Sequence, residues 1–507
     1  MRDFNFEGLF IYDMANNHQG DLQHGLNIIR ELGDVNKRAE ARGALKFQFR
    51  NIETFIHPDY KERKDINHIP RFMSTCLTKS DYEVLTKAVR DNGMITVSTP
   101  FDEESIDLIE ELEIEVIKVA SCSASDRPLI ERIAKSKKPV IASTAGLSLE
   151  DIDRLVNIFE QERIKFSLMH CVALYPTTNE ELNFNKIEFL KSRYPAVKIG
   201  FSTHEEPDNF TAIKIAFAKG ARLFERHVGI ETADYKLNAY SSRPDQIASW
   251  IQAYNETVKA CGGEEPSPVT PREMKSLYSL MRGVFAKKEI EKGRILNRED
   301  VFFAMPLLDG KLRSGMWRDG VVADKDYCAN EPIIAGIINL KIPKEEMIYR
   351  YMLIVKGMLN KANIFLSQDN SIEISHHYGL EKFREFGVVI INCINRSYCK
   401  KLMVQLPRQK HPYHYHKKKE ESFQLLYGDL EVTLDGKKKN LKPGDIVLVE
   451  QNRWHKFHTL DGAVFEEVSS THYNNDSFYH DEGIIQVARE KRKTIFRSME
   501  DALIVKI

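Results

Sequence analysis

Eight short apolar runs, rich in β-branched and aromatic residues, punctuate the first 262 positions. They are GLFIYDMA (8–15), GALKFQF (43–49), GMITVST (93–99), IEVIKVAS (114–121), PVIAST (139–144), IKFSLMHC (164–171), VKIGFST (197–203) and ARLFERHV (221–228). Between most of them the apolar positions switch to helical spacing, as in DLQHGLNIIRELGDVNKRA and EESIDLIEEL. Eight strands alternating with helices predict an α/β fold, a (β/α)8 TIM barrel over residues 1–265. PDQIASWIQAYNETVKACGG reads as its closing helix, ended by Gly262 and Gly263.

The texture then changes. MRGVFAKKEIEKGRILNREDVFFAMPLLDG has short strands, a turn at Lys292-Gly293 and no long helix, predicting a small β-rich module over 280–340. Residues 341–370 are mixed and read as a linker. From 371 to 490 the pattern is strands with tight turns at Asp435-Gly436 and Pro443-Gly444, which fits a second β-barrel, an antiparallel barrel or a jelly roll. Residues 491–507 read as a tail. A length of 507 residues agrees with several domains. With 42% hydrophobic and 29% charged residues and a net charge of −1, the chain lacks the basic excess of a nucleic-acid or membrane-surface binder. Arg489, Lys491, Arg492 and Lys493 read as a solvated surface. No apolar run approaches the roughly 18 residues of a membrane span, and the N-terminus carries acids where a signal peptide needs an apolar core. Seven cysteines without a CxxC pair suggest reduced thiols and a cytoplasmic protein; Cys122 and Cys171 are either pocket walls or small buried residues.

Barrels of this type carry their chemistry at the C-terminal ends of the strands. The first run ends with Asp13, Asn17 and His18, and the second carries Lys46 and Gln48 on one face. The third ends at Ser98-Thr99-Pro100, the fourth at Lys118 and Ser121, the fifth at Ser143-Thr144. The sixth gives His170 and Tyr175, the seventh Ser202 and His204, the eighth Glu225 and His227. Lysines inside apolar strands need anionic partners, and with the hydroxyls they describe a pocket for a small phosphorylated or carboxylated anion. His204 and His227 end neighbouring strands, close enough to share a divalent metal. Glu225 is either an orienter of that site or a structural acid.

NNHQGD, KFQ, STPFD, IKVAS, KPVIAST, HCVALYPT, IGFSTH and ERHVG, in this order, resemble the sialic acid synthase family, and VFAKKEIEKGRILNREDV is similar to the antifreeze-like (SAF) domain attached to such synthases. The resemblance implies condensation of phosphoenolpyruvate with a sugar aldehyde to a 3-deoxy-ulosonic acid. It places Lys46, Thr99, Lys118, Ser121, Ser143 and Ser202 at phosphoenolpyruvate and His204 and His227 on a manganese or magnesium ion. It puts Tyr175 on the acceptor side; Asn17 and Gln48 are further substrate-binding candidates. It also implies a homodimer whose SAF domain caps the partner's barrel. Asp13 is the candidate acid or base, or else a strand cap. The acceptor side departs from the family at Asp13, Ser123, Ala173, Leu237, Asn238 and Met305, which points to an acceptor other than N-acetylmannosamine. Lys311 and Arg313 either replace the family's SAF arginine or are exposed loop charges.

The last module resembles the cupins. Its motifs read His414-x-His416-x4-Glu421-x6-Gly428 and Gly444-x5-Glu450-x-Asn452-x2-His455. The resemblance implies that His414, His416, Glu421 and His455 hold a second divalent metal, Mn, Fe, Ni or Zn, with His411, His458 and Glu420 as nearby alternatives and His376-His377 structural. Such a domain is an accessory, an isomerase or epimerase acting on the acceptor sugar, or a sugar-binding regulator.

Overall fold

A computed structural model describes residues 4–263, 268–334, 343–473 and 475–503. The chain divides into two units, Met1–Pro268 and Val269–Ile507.

In the first unit eight parallel strands close into a barrel in chain order: β1 (Leu9–Asp13), β2 (Arg42–Phe49), β3 (Ile95–Pro100), β4 (Val116–Val119), β5 (Val140–Ser143), β6 (Phe166–Cys171), β7 (Lys198–Ser202) and β8 (Leu223–His227). All eight apolar runs of the sequence are strands. The helical patterns are helices too, Leu22–Arg38, Glu103–Glu111 and the closing Pro244–Cys261, where Gly262 takes φ 70. Side chains alternate across a strand, and here the inward row of each strand changes chemistry along its length. Leu9 and Ile11 precede Asp13, Ala44 precedes Lys46, Val97 precedes Thr99, and Leu223 precedes Glu225. Their apolar members pack with Phe6, Val116, Ile141 and Met169 into the barrel's interior floor. The outward rows pack against the helices in the larger core. The floor is thus apolar and the rim polar within single strands.

In the second unit a small β module pairs β9 (Gly283–Ala286) with β11 (Val301–Ala304) and β10 (Ile295–Leu296) with β12 (Val321–Val322). Its expected end near 340 lies outside the described residues. The expected linker, where described, holds a helix, Lys344–Lys361, whose Met352, Val355 and Leu359 pack into the following domain's core. That helix was masked in the sequence by a weakly amphipathic pattern. The last domain is two antiparallel sheets. One orders β20-β17-β22-β15-β14-β13-β24 and the other β19-β18-β21-β16-β23. Here β13 is Ser371–Ser375, β14 Val388–Asn395, β15 Tyr398–Gln405, β16 His414–Tyr415, β17 Glu421–Gly428 and β18 Leu430–Leu434. The rest are β19 Lys437–Leu441, β20 Ile446–Val449, β21 His455–His458, β22 Ala463–Ser470, β23 Phe478–Tyr479 and β24 Lys493–Phe496. Strand β24 corrects the expected tail: it pairs antiparallel with β13 and completes the sheet. Gly428 has φ 86, and a Cβ there would lie 1.8 Å from the Gly462 carbonyl oxygen, so the motif glycine answers a close backbone approach.

Candidate functional site

The barrel rim gathers its polar residues around one cavity of about 780 Å3. Register sets the first contacts, since Asp13 pairs with both Lys46 and His227, and Ser202 with Glu225. Glu225 is the hub. Its Oε1 accepts from Lys46 Nζ at 2.8 Å and Ser202 Oγ at 3.1 Å, and lies 3.6 Å from Lys118 Nζ. Lys46 Nζ also lies 2.9 Å from Asp13 Oδ2, while Lys118 Nζ donates to Ser143 Oγ at 2.6 Å. The two ammonium groups differ in consequence. Burial opposes the charge of Lys46, but Asp13 and Glu225 outweigh it and its pKa rises. For Lys118 burial wins, because its one carboxylate neighbour is longer and shared, and its pKa falls. Burial would raise Glu225, yet Lys118 and Lys46 hold it well below the usual carboxylate range. Lys118 is therefore a buried, under-compensated cation facing the cavity. Glu225 Oε2 and Thr99 Oγ1 are buried with no hydrogen-bond partner.

The imidazoles meet on the same rim. His204 and His227 have ring centroids 5.2 Å apart. His204 Nδ1 lies 3.2 Å from the Val172 carbonyl, leaving Nε2 as its free donor atom. His227 Nε2 lies 3.3 Å from Asp13 Oδ2. Burial holds His204 at about 3 and also lowers His227, so both rings are neutral, as metal ligands must be. Two neutral imidazoles with the nearby carboxylate suit a divalent cation with positions left open. The Tyr175 ring lies 4.0 Å from that of His204, tilted by 39°, and burial raises its hydroxyl to about 12.

The structure brings these sequence-derived barrel positions to this one cavity: Asp13, Asn17, Lys46, Gln48, Thr99 and Lys118; Ser121, Cys122, Ser143 and Cys171; Ala173, Tyr175, Ser202 and His204; Glu225, His227 and Asn238. Asn17 has a structural duty as well, its Nδ2 donating to the Val228 carbonyl at 2.7 Å and to Ser241 Oγ at 3.0 Å. The strand-end His170 instead bonds the Leu182 carbonyl at 2.7 Å and Thr144 the Met169 carbonyl. Lys311 and Arg313 belong to the small β module, with backbone bridges to Ile334 and Gly283 respectively. Among the lining residues that escaped the sequence reading are Arg50, Arg71 and Tyr240. Arg50 follows β2 directly, and a longer look past that strand's end could have found it. Its guanidinium lies 3.7 Å from the Phe101 ring and 4.1 Å from Phe72, and burial lowers it to about 10. Arg71 rides on the short helix Ile69–Ser74 of the β2–β3 excursion, and Tyr240 lies in the loop after β8, its ring 5.2 Å from His227. No local pattern marks either.

In the last domain the ligand atoms of His414, His416, Glu421 and His455 lie within 4.8 Å of one another, all buried. The fold aims each ring by its other nitrogen. The Nδ1 atoms of His414 and His455 lie 3.0 Å from the Pro412 and Arg453 carbonyls, and His416 Nδ1 contacts the Asp476 carbonyl. Their Nε2 atoms are left as lone pairs. His455 Nε2 lies 2.8 Å from Glu421 Oε1, and both atoms lack a hydrogen-bond donor. Two lone pairs face each other there, an arrangement that fits a shared cation. Glu421 Oε2 is held by Lys419, which also lies 2.9 Å from Glu467; Lys401 approaches Glu467 at 3.1 Å. The Asp476 carboxylate accepts the backbone N–H groups of Lys417, Lys418 and Lys419. Of the alternatives, His411 bonds His377 at 3.2 Å and stacks on Phe457, His458 approaches Glu431 at 3.4 Å, and Glu420 is exposed. His376 bonds Thr494 at 3.0 Å.

A family model described as the NeuB family matches residues 34–266, and one for the cupin domain matches 401–466. Among solved structures, a protein assigned as spore coat polysaccharide biosynthesis protein E from Chromobacterium violaceum is 42% identical, with a TM-score of 0.63, over 65% of this chain and 99% of that one. A pseudaminic acid synthase of Campylobacter jejuni is 29% identical over 58% of this chain and 86% of its own length. The N-acetylneuraminate-9-phosphate synthase of Homo sapiens is 26% identical over 57% and 80%.

Proposed function

Because this chain belongs to the NeuB family, we propose that its barrel condenses phosphoenolpyruvate with a sugar aldehyde, giving a 3-deoxy-ulosonic acid and phosphate. The observation that carries this reading is the convergence of Lys46, Lys118, His204 and His227 on one cavity. Lys118, under-compensated and buried, gains most from an arriving anion. With Lys46, Thr99, Ser121, Ser143 and Ser202 it holds the carboxylate and phosphate of the enol substrate. His204 and His227 would hold a manganese or magnesium ion, which when bound would supply Lewis acidity at the acceptor carbonyl. The enol C3 attacks the aldehyde carbon, water adds at C2, and the C2–O bond to phosphate breaks. Asp13 lies between Lys46 and His227 and handles the proton of that addition. Tyr175, Gln48 and Asn17 line the acceptor side.

The acceptor in this reading is not N-acetylmannosamine. Asp13, Ala173 and Asn238, three of the positions at which the chain departs from the sialic acid synthases, line the same cavity. The small β module acts as a SAF-like cap on the partner's barrel in a homodimer, with Lys311 and Arg313 reaching that partner's acceptor. The cupin quartet His414, His416, Glu421 and His455 holds a second divalent cation, Mn, Fe, Ni or Zn. In this reading the enzyme works in the cytoplasm, which its free cysteines support.

Phosphate release from phosphoenolpyruvate, measured on the full chain with manganese across a panel of aldoses, tests this. At least one aldose supports turnover, and N-acetylmannosamine is at least tenfold poorer. Silence with every aldose, while phosphoenolpyruvate and metal still bind, sinks the reading.

A further inference from the structure

A second cavity, of about 310 Å3, opens in the last domain against the His414–His455 quartet. Its charge is unbalanced. Lys401, Lys419, Arg489, Arg492 and Lys493 line it, against three carboxylates, Glu373, Glu421 and Glu467. Each carboxylate is already engaged. Lys493 lies 3.2 Å from Glu373, Lys419 holds Glu421, and Lys401 and Lys419 share Glu467. Arg489 and Arg492 have no carboxylate partner among the described residues, and Arg492 Nε is buried without a hydrogen-bond partner.

The place of Arg492 is set by the fold. Its carbonyl accepts the His376 N–H at 2.8 Å, just before β24 pairs with β13. Its guanidinium lies 5.3 Å over the Tyr479 ring, and that ring stacks on His414 at 5.5 Å and 20°. A single aromatic ring therefore separates a free guanidinium from the metal-ligand quartet. A cavity with surplus cations, and more with a divalent metal in place, calls for an anionic occupant. Ser375, Asn392, Asn475 and Ser477 add neutral hydrogen-bonding groups to the wall, which suits a polyhydroxylated molecule. The volume lies at the small end of the ~300–1,000 Å3 of small-molecule sites, room for a single monosaccharide rather than a polymer.

We propose that this cavity binds an acidic monosaccharide, with its carboxylate or phosphate on Arg492 and Arg489 and its hydroxyl or carbonyl end toward the quartet. The proposal rests on the quartet holding a metal but not on the barrel's reaction. Calorimetric titration of the manganese-loaded full chain with D-galacturonate, D-glucose 6-phosphate and D-galactose tests it, with metal content measured separately in every variant. At least one acidic sugar binds, galactose at least tenfold more weakly, and the acidic arm that binds identifies carboxylate or phosphate as the group read. Arg492→Leu weakens that binding at least tenfold with its metal retained, Arg492→Lys recovers part of it, and Arg489→Leu shifts it in the same direction. The barrel variant Lys118→Met leaves it unchanged. Equal affinity for galactose, no binding of either acidic sugar, unchanged affinity in Arg492→Leu, or loss in Lys118→Met overturns the proposal. A chain that takes up no metal at the quartet overturns the metal reading on which the proposal rests, and the separate metal analysis tells that failure from a failure to bind the sugar.

Discussion

The barrel rim and the cupin cavity solve one electrostatic problem with different completeness. Each buries a glutamate between two lysines, Glu225 with Lys46 and Lys118, Glu467 with Lys401 and Lys419. Each sets imidazoles beside that cluster. The barrel supplies two, from adjacent parallel strand ends around a cavity of about 780 Å3, while the cupin supplies three and a carboxylate around about 310 Å3. A set of two leaves coordination positions to be filled by what arrives, so the rim suits a reaction between two substrates. A set of four converges as a preformed cluster, and any specificity for a further ligand must come from the walls beyond it, such as Arg492. Parallel strands deliver all their ends to one open rim. An antiparallel barrel converges its side chains inward and closes them off.

The largest effect expected from this contrast is at Lys118. Lys118→Met removes the under-compensated ammonium at little cost in volume, and phosphate release falls on the order of a thousandfold. Metal analysis of the same chain finds the cupin site still loaded; its loss there would erase the separation of the two sites. Next comes Glu467→Leu, which strips Lys401 of its carboxylate and leaves Lys419 with Glu421 alone. Removing one partner of a buried ion pair costs about 3 kcal/mol, visible as a lower denaturation midpoint of the full chain, with barrel turnover at native conditions preserved.

Acid should weaken the barrel by a smaller amount through His18. Burial, together with Arg71 and His24, holds His18 at about 4 in the folded protein against an ordinary 6.5. The unfolded chain takes up the proton first, so this contribution is whole above pH 6.5 and is lost as pH falls toward 4. Between pH 6.5 and 5 it amounts to about 2 kcal/mol, and His18→Gln should flatten that part of the stability profile; an unaltered slope excludes His18 as its source. The smallest effect is at Asp476, whose carboxylate orders Lys417–Lys419 and so steadies the backbone carbonyl that aims His416. Asp476→Ala should lower the quartet's metal affinity about tenfold, read by competition with a chelator, without changing phosphate release.

Much of this was legible along the chain because a strand's period of two turns sequence into geometry. Asp13, Lys46, Thr99, Lys118 and His227 each end an inward apolar row, so the eight strands and the rim they present follow from local pattern. The cupin quartet was legible for a related reason: His414, His416 and Glu421 fall within one short stretch, and only His455 arrives from farther along. What tertiary structure alone decided is where charge is left uncompensated. That Glu225 serves both lysines yet satisfies Lys46 better than Lys118, that Arg50 is clamped between Phe72 and Phe101, and that a presumed tail returns as β24 to set Arg492 beyond Tyr479 all depend on distances between remote segments. Periodicity reports which face a residue takes, whereas Coulomb energy depends on separation and burial, and these exist only once the chain has closed on itself.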